Sequence, residues 1–155
     1  MEENRKKALA AALGQIKKQF GKEPKDMSVA EQTKAAIWEM NGTVVVGGGL
    51  VGSNPGPSWV VKGSGDFNAD GYADILWQNT DGQAAIWGLN GTSVIGGGLV
   101  SSNPGPTWQV IGTGDFNGDR YSDILCQNIN GEVAVWELIG MNVIGAAILG
   151  NPGAD

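Results

Sequence analysis

AAIWEMNGTVVVGGGLVGSNPGPSWVVKGSGDFNADGYADILWQNTDGQ, residues 35–83, is followed without a break by AAIWGLNGTSVIGGGLVSSNPGPTWQVIGTGDFNGDRYSDILCQNINGE, residues 84–132. The two stretches align without a gap, and 33 of their 49 positions are identical. A third copy opens at Val133-Ala134-Val135-Trp136 and stops at Asn151-Pro152-Gly153. Trp38, Trp87 and Trp136 therefore recur every 49 residues, as do Trp59 and Trp108. A period of this length marks supersecondary units that bury their apolar faces against one another.

Each copy divides into four short strand patterns separated by turn residues. From Trp59 they are strand A, Trp59 to Gly63; strand B, Ala73 to Gln78; strand C, Ala84 to Leu89; and strand D, Ser93 to Val100. Asn90-Gly91 between C and D is a two-residue hairpin signal, because both residue types tolerate positive φ. Asn103-Pro104-Gly105-Pro106 is a stiff corner that ends pairing before the next A strand. Four antiparallel strands per 40 to 50 residues is the arithmetic of a propeller blade.

The expected fold class is mainly β: four-stranded antiparallel blades of a β-propeller, about two and a half per chain, with one N-terminal α-helix. Residues 35–155 hold the blades, as a C–D half-blade at 35–51 and whole blades at 59–100 and 108–149. Residues 26–34 are a linker or a partial strand. Two and a half blades cannot close a ring and would leave strand edges and apolar faces in water, so closure by self-association is expected.

The helix is expected over residues 1–25. Leu9, Leu13, Ile16 and Phe20 fall at steps of four, three and four, the stripe of an amphipathic helix. Glu2 and Glu3 suit its N-terminal dipole, Lys17, Lys18 and Lys22 its C-terminal end, and Gly21 its stop. The stripe needs a cover, either the chain's own blades or a neighbouring chain.

The net charge of −6 conceals an asymmetry. Residues 1–25 hold seven Lys/Arg against three Asp/Glu, or +4; the remaining residues hold three against thirteen, or −10. Nucleic acid would be repelled by most of the acidic part, whereas cations would be drawn to it. The absence of histidine removes the commonest general base and zinc ligand, and with them any catalytic triad. The single cysteine, Cys126, stands where the preceding copy has Trp77, an apolar position, and reads as a buried structural thiol. No run of 18 apolar residues suggests a membrane span, and the N-terminus lacks the apolar core of an export signal.

The chemistry is concentrated in Asp66-Phe67-Asn68-Ala69-Asp70-Gly71-Tyr72-Ala73-Asp74 and its copy Asp115-Phe116-Asn117-Gly118-Asp119-Arg120-Tyr121-Ser122-Asp123. Side-chain oxygens at positions 1, 3, 5 and 9, a main-chain carbonyl at 7 and a glycine turn at 6 describe a loop for a hard cation, Ca²⁺ before Mg²⁺. The expected ligands are Asp66, Asn68, Asp70, Tyr72 and Asp74, then Asp115, Asn117, Asp119, Tyr121 and Asp123. Arg120 replaces the glycine of the first loop, which forces a side chain into left-handed backbone and places positive charge nearby, so weaker binding is expected there. A solvated acidic turn is the competing reading. Paired carboxylates also suggest glycoside hydrolysis, but each repeated carboxylate is already accounted for by a loop. Trp59 and Trp108 begin innermost strands and read as core filling rather than sugar platforms.

Residues 65–87, GDFNADGYADILWQNTDGQAAIW, resemble the FG-GAP and VCBS repeats of integrin-α-like propellers. That resemblance implies blades with calcium in this loop and roles in adhesion, matrix or carbohydrate recognition at bacterial surfaces. Residues 2–22, EENRKKALAAALGQIKKQFGK, resemble the N-terminal helix of bacterial RecA recombinases, which docks on the adjacent subunit of a filament. No G-x-x-x-x-G-K-[ST] loop follows, so ATP binding does not carry over. The two resemblances together imply a chimeric or designed chain.

The sequence thus predicts a non-catalytic calcium-binding repeat protein that forms a homo-oligomer through its blades, and through the helix if the stripe joins chains. The alternative is a glycan-binding or adhesion module. Neither nucleic acid nor a membrane is an expected partner.

Overall fold

The computed structural model describes residues 34–52 and 55–153, together with Glu3, Lys6, Lys7 and Ala10. Ten strands follow in order: β1 (Ala36–Asn41), β2 (Val44–Leu50), β3 (Trp59–Gly65), β4 (Asp74–Asn79), β5 (Ala84–Asn90), β6 (Ser93–Leu99), β7 (Trp108–Gly114), β8 (Asp123–Asn128), β9 (Val133–Ile139) and β10 (Asn142–Gly150). They form a two-stranded sheet, β1-β2, and two four-stranded sheets, β3-β4-β5-β6 and β7-β8-β9-β10. Every resolved pairing is antiparallel. The four strands expected per repeat are those found, to within a residue or two at their ends.

No helix stands among these elements, which corrects the expected fold class: over the described residues the chain is all β. Residues 1–25, with the stripe Leu9, Leu13, Ile16 and Phe20, lie outside the described residues except at four isolated positions. Those four, Glu3, Lys6, Lys7 and Ala10, have helical backbone and are exposed, which makes no element. The physical reason is that periodicity is a conditional signal. A short amphipathic stretch draws most of its helical stability from a surface that covers its stripe, and the pattern alone does not supply that surface.

The chain divides into two compact units, residues 1–57 with the turn at 91–93, and residues 58–90 with 94–155. In the first, β1 and β2 form a hairpin with a bulge between Glu39 and Met40. The same bulge recurs between β9 and β10, at Val143/Gly145. The hairpin loops are Gly42-Thr43, Gly91-Thr92 and Gly140-Met141, the second of them one residue beyond the expected Asn90-Gly91 pair. Their glycines have φ of +60°, +61° and +62°, the positive φ that a II′ turn takes at its first loop position.

The second unit holds the two whole blades and the core between them. Phe67, Leu76, Ile86 and Val100 of the first blade meet Val110, Ile124, Cys126 and Leu138 of the second, with Trp108, Trp136, Met141 and Val143 packed around them. Each such side chain contributes about 1.5–3 kcal/mol relative to exposure. Asp74 to Gln78 of β4 are all buried, with Ile75-Leu76-Trp77 between two hydrogen-bonded polar side chains, so the strand shows no alternation of buried and exposed positions.

Candidate functional site

Each acidic loop joins the first strand of a blade to the second, and its fold is set by its own carboxylates. In the first loop the N–H groups of Asp70 (3.1 Å) and Gly71 (2.9 Å) donate to Asp66, and that of Tyr72 donates to Asp70 Oδ1 (2.8 Å). Asn68 Oδ1 accepts from Asp70 N–H (3.0 Å), while Asn68 Nδ2 donates to Asp70 Oδ2 (3.0 Å). The second loop repeats the pattern: Gly118 (2.7 Å), Asp119 (3.1 Å) and Arg120 (2.9 Å) donate to Asp115, and Tyr121 to Asp119 (2.9 Å). These backbone donors, Arg120 N–H first, hold the Asp115 carboxyl below its ordinary pKa.

The residues at position 9 have a different setting. Asp74 and Asp123 are buried at the start of β4 and β8. Asp74 Oδ2 accepts from Phe67 N–H and Oδ1 from Leu89 N–H, both at 3.0 Å. Asp123 does the same with Phe116 N–H (2.8 Å) and Leu138 N–H (2.9 Å). Each carboxylate thus ties the loop to the end of the third strand of its blade. Burial pushes the Asp74 pKa up; its two backbone donors pull the other way, and the nearby Asp70 and Asp66 charges add to the rise.

The structure therefore brings together Asp66, Asn68, Asp70 and Tyr72 in one exposed turn, and Asp115, Asn117, Asp119 and Tyr121 in the other, while Asp74 and Asp123 turn inward. Among the described residues no three Asp, Glu, Cys or His side chains converge as a metal-holding group. The donor chemistry still fits a hard cation: two carboxylates, an amide carbonyl and a main-chain carbonyl per loop, all oxygen.

Two backbone positions in each loop are left-handed, and each loop fills one of them with a non-glycine residue. In the first they are Ala69 (φ +60°) and Gly71 (+89°); in the second, Gly118 (+80°) and Arg120 (+79°). The left-handed backbone expected at Arg120 is present, and Ala69 is a matching strain that no motif position signalled. Relief of an αL side chain is worth about 1–2 kcal/mol, partly offset by the freedom glycine gains in the unfolded chain, so Arg120→Gly should stabilise by about 0.5–1 kcal/mol. Urea unfolding in the presence of chelator checks this without interference from metal; an unchanged or lowered midpoint would refute it.

Gln78, at the end of β4, was not singled out by any motif. It is buried, and its amide joins the blades: Nε2 donates to the carbonyls of Trp108 (2.9 Å) and Gly82 (3.1 Å), while Oε1 accepts from Val110 N–H (2.9 Å). The available signal was a glutamine recurring, as Gln127, at the end of an otherwise apolar strand. Further bonds across the same junction run from Thr113 Oγ1 to Ser64 O (2.6 Å), Ser122 N–H to Asp66 O (2.8 Å), Gly140 N–H to Phe67 O (3.0 Å) and Lys62 Nζ to Gln109 Oε1 (2.9 Å). Cys126 is buried in this core, and desolvation pushes its thiol up to about 11, in keeping with a structural role.

Four-stranded meanders packed face to face, each with an acidic loop between its first two strands, define a propeller-type repeat module. Residues 66–138 match the FG-GAP-like repeat family, so this stretch, from the first acidic loop to the end of the third strand of the second blade, is similar to that repeat. The match does not reach residues 2–22, and it lends no support to a recombinase helix there or to a chimeric origin. Searches of curated proteins and of solved structures returned no significant match. No helix among the described residues is long and apolar enough to cross a membrane.

Proposed function

We propose that this chain is a non-catalytic blade-repeat module whose two acidic loops take Ca²⁺ and whose copies associate through their blades into a larger propeller-like assembly. One contrast carries the reading. Phe67 is 0% exposed where the second blade covers the first, whereas Phe116, at the same repeat position of the second blade, is 50% exposed. A face that is covered on the first blade is thus bare on the second, as expected of repeats that pack on a neighbouring unit.

Asp66, Asn68, Asp70 and the Tyr72 carbonyl would hold one ion, and Asp115, Asn117, Asp119 and the Tyr121 carbonyl the other. A bound divalent cation would neutralise the clustered carboxylates and stiffen the connection between the first two strands. The chain's own part is to present those oxygens, using backbone N–H groups to orient Asp66 and Asp115.

The test is solution mass by light scattering together with thermal unfolding, in millimolar calcium and then in excess chelator. The expected result is a discrete oligomer whose Tm falls on chelation; at a calcium concentration one hundred times Kd a single site contributes about 2.7 kcal/mol. A monomer with the same Tm in both conditions would remove both parts of the proposal.

A further inference from the structure

The junction between the two whole blades joins two unlike faces. The first blade brings Phe67, Leu76, Ile86 and Val100, and the second brings Leu138 with Trp136 and Val143 packed beside it. Each of these faces recurs elsewhere in the repeat, and there it is bare.

The first face recurs on the second blade. Val100 is 2% exposed, whereas Leu149, one repeat later, is 64% exposed. Beside Phe67 and Ile86, a cavity of about 180 Å³ is closed by the turn residues Gly140 and Met141. Its equivalent beside Phe116 and Val135 is a groove of about 490 Å³ with no such turn over it.

The second face recurs on the β1-β2 hairpin, whose residues 36, 38 and 40 stand two repeats before 134, 136 and 138. Ala134 and Leu138 are buried, and Trp136 packs on the core. Ala36 is exposed, and Trp38 and Met40 are exposed at 44% and 50%. The row that is covered as Ala-Trp-Leu in β9 thus stands in water as Ala-Trp-Met in β1.

A glutamate supports the match independently. Within the hairpin's own compact unit, Glu39 Oε1 lies 3.9 Å from the place a Cβ of Gly91 would take, and Gly91 opens the turn one repeat after Gly42. Glu137 stands two repeats after Glu39 and holds the same pose. Each lies over the glycine it pairs with on the adjacent strand, Gly47 for Glu39 and Gly145 for Glu137. Glu137 lines the open groove, poised for a glycine turn of this kind.

We infer that the bare face of the second blade receives the β1-β2 hairpin of a second copy of this chain, with Trp38 and Met40 covering Phe116 and Leu149 and the Gly42 turn set against Glu137. The hairpin takes the place of a third and fourth strand one repeat beyond β9 and β10. The exposure of Phe116 and Leu149 shows that this place is open. The inference rests on the self-association reading and gives it a direction. Because the faces are unlike, copies add with one polarity and form a ring if the rotation closes or a filament if it does not.

The experiment is sedimentation velocity of the full chain in calcium, for the unaltered protein and for Met40→Asp, Leu149→Asp and Ile148→Asp, with circular dichroism as the check on folding. All three alter exposed positions. Met40→Asp and Leu149→Asp should each raise the apparent dissociation constant roughly tenfold or more, as loss of a central contact does. Ile148→Asp should leave assembly unchanged, because Leu99, its counterpart on the covered first blade, stays 60% exposed. Mixing Met40→Asp with Leu149→Asp in equal amounts should give a dimer of one of each, since one intact hairpin then meets one intact blade face. An unaltered chain that stays monomeric would overturn the self-association reading and this inference with it. An oligomer that survives both Met40→Asp and Leu149→Asp, that Ile148→Asp disrupts equally, or whose two variants do not pair on mixing, would overturn only the inference.

Discussion

Asp123→Ala is expected to cost about 3–5 kcal/mol of folding stability, enough to leave the chain near its unfolding midpoint at room temperature if its stability lies at the low end for domains of this size. The estimate follows from what the carboxylate holds. Both oxygens are buried and accept from main-chain N–H groups, those of Phe116 and Leu138. Truncation strands two donors that water reaches poorly, and each such donor costs about 1–3 kcal/mol. Asp74→Ala should behave alike, because Phe67 N–H and Leu89 N–H depend on it in the same way. The contrast is Asp115→Ala, whose carboxylate is exposed and whose donors can turn to water. Urea denaturation in chelator would separate the cases: a large drop in midpoint at unchanged slope for Asp74→Ala and Asp123→Ala, and a small one for Asp115→Ala. Equal losses at all three positions would mean that the inward-facing carboxylates are ordinary loop residues.

Gly82→Ala should destabilise by at least about 3 kcal/mol, and Gly131→Ala by much less, although the two occupy the same repeat position. Both have positive φ, +96° and +94°, so both incur the same backbone strain. The difference is what a new methyl would meet. At Gly82 it would collide with the backbone carbonyl of Gly105, part of the corner that leads into the second blade, and neither backbone can yield without opening the junction. At Gly131 it meets the side chain of Asn151, with Oδ1 at 2.7 Å, which can turn aside at the loss of its exposed bonds to Asn130 O and Gly153 N–H without moving a backbone junction. Thermal unfolding of the two variants side by side is sufficient, and equal Tm values would show that strain rather than collision sets the cost.

Much of this was legible in the chain because the repeat compares the sequence with itself. Strand limits, the order of strands in each blade and the left-handed backbone at Arg120 all follow from one alignment of 35–83 on 84–132. The burial of Cys126 followed too, from its place opposite Trp77. Spacing shows how far apart two oxygens are along the chain, but not which main-chain donors they meet, and so the bonds that tie Asp74 to Leu89 and Asp123 to Leu138 were not legible. Ala69 carried no warning because alanine at φ +60° is tolerated only in context. The second hairpin turn fell one residue beyond the Asn90-Gly91 pair, because the glycine alone supplies the positive φ. The N-terminal stripe described a helix on the condition of a covering surface, and that condition is tertiary. Gln78 was missed since its value lies in main-chain groups 30 and 32 residues away, which no local pattern displays.

The substitution of Trp77 by Cys126 between the two blades gives each blade its own label. Trp77 is buried with its ring centroid 5.0 Å from that of Trp87 at an interplanar angle of 57°, and its indole N–H has no hydrogen-bond partner. A tilted indole pair at this separation couples its electronic transitions, and an unbonded indole in an apolar setting emits at short wavelength. Trp108 and Trp136 of the second blade also emit. Among the described residues, however, only the first blade holds a close indole pair, so a near-ultraviolet coupling signal belongs to it, while the second carries the chain's single sulfhydryl in the place of Trp77. Opening of one blade can be timed by light and opening of the other by thiol labelling, on one unaltered molecule, so that cooperativity between adjacent units of the array becomes directly measurable.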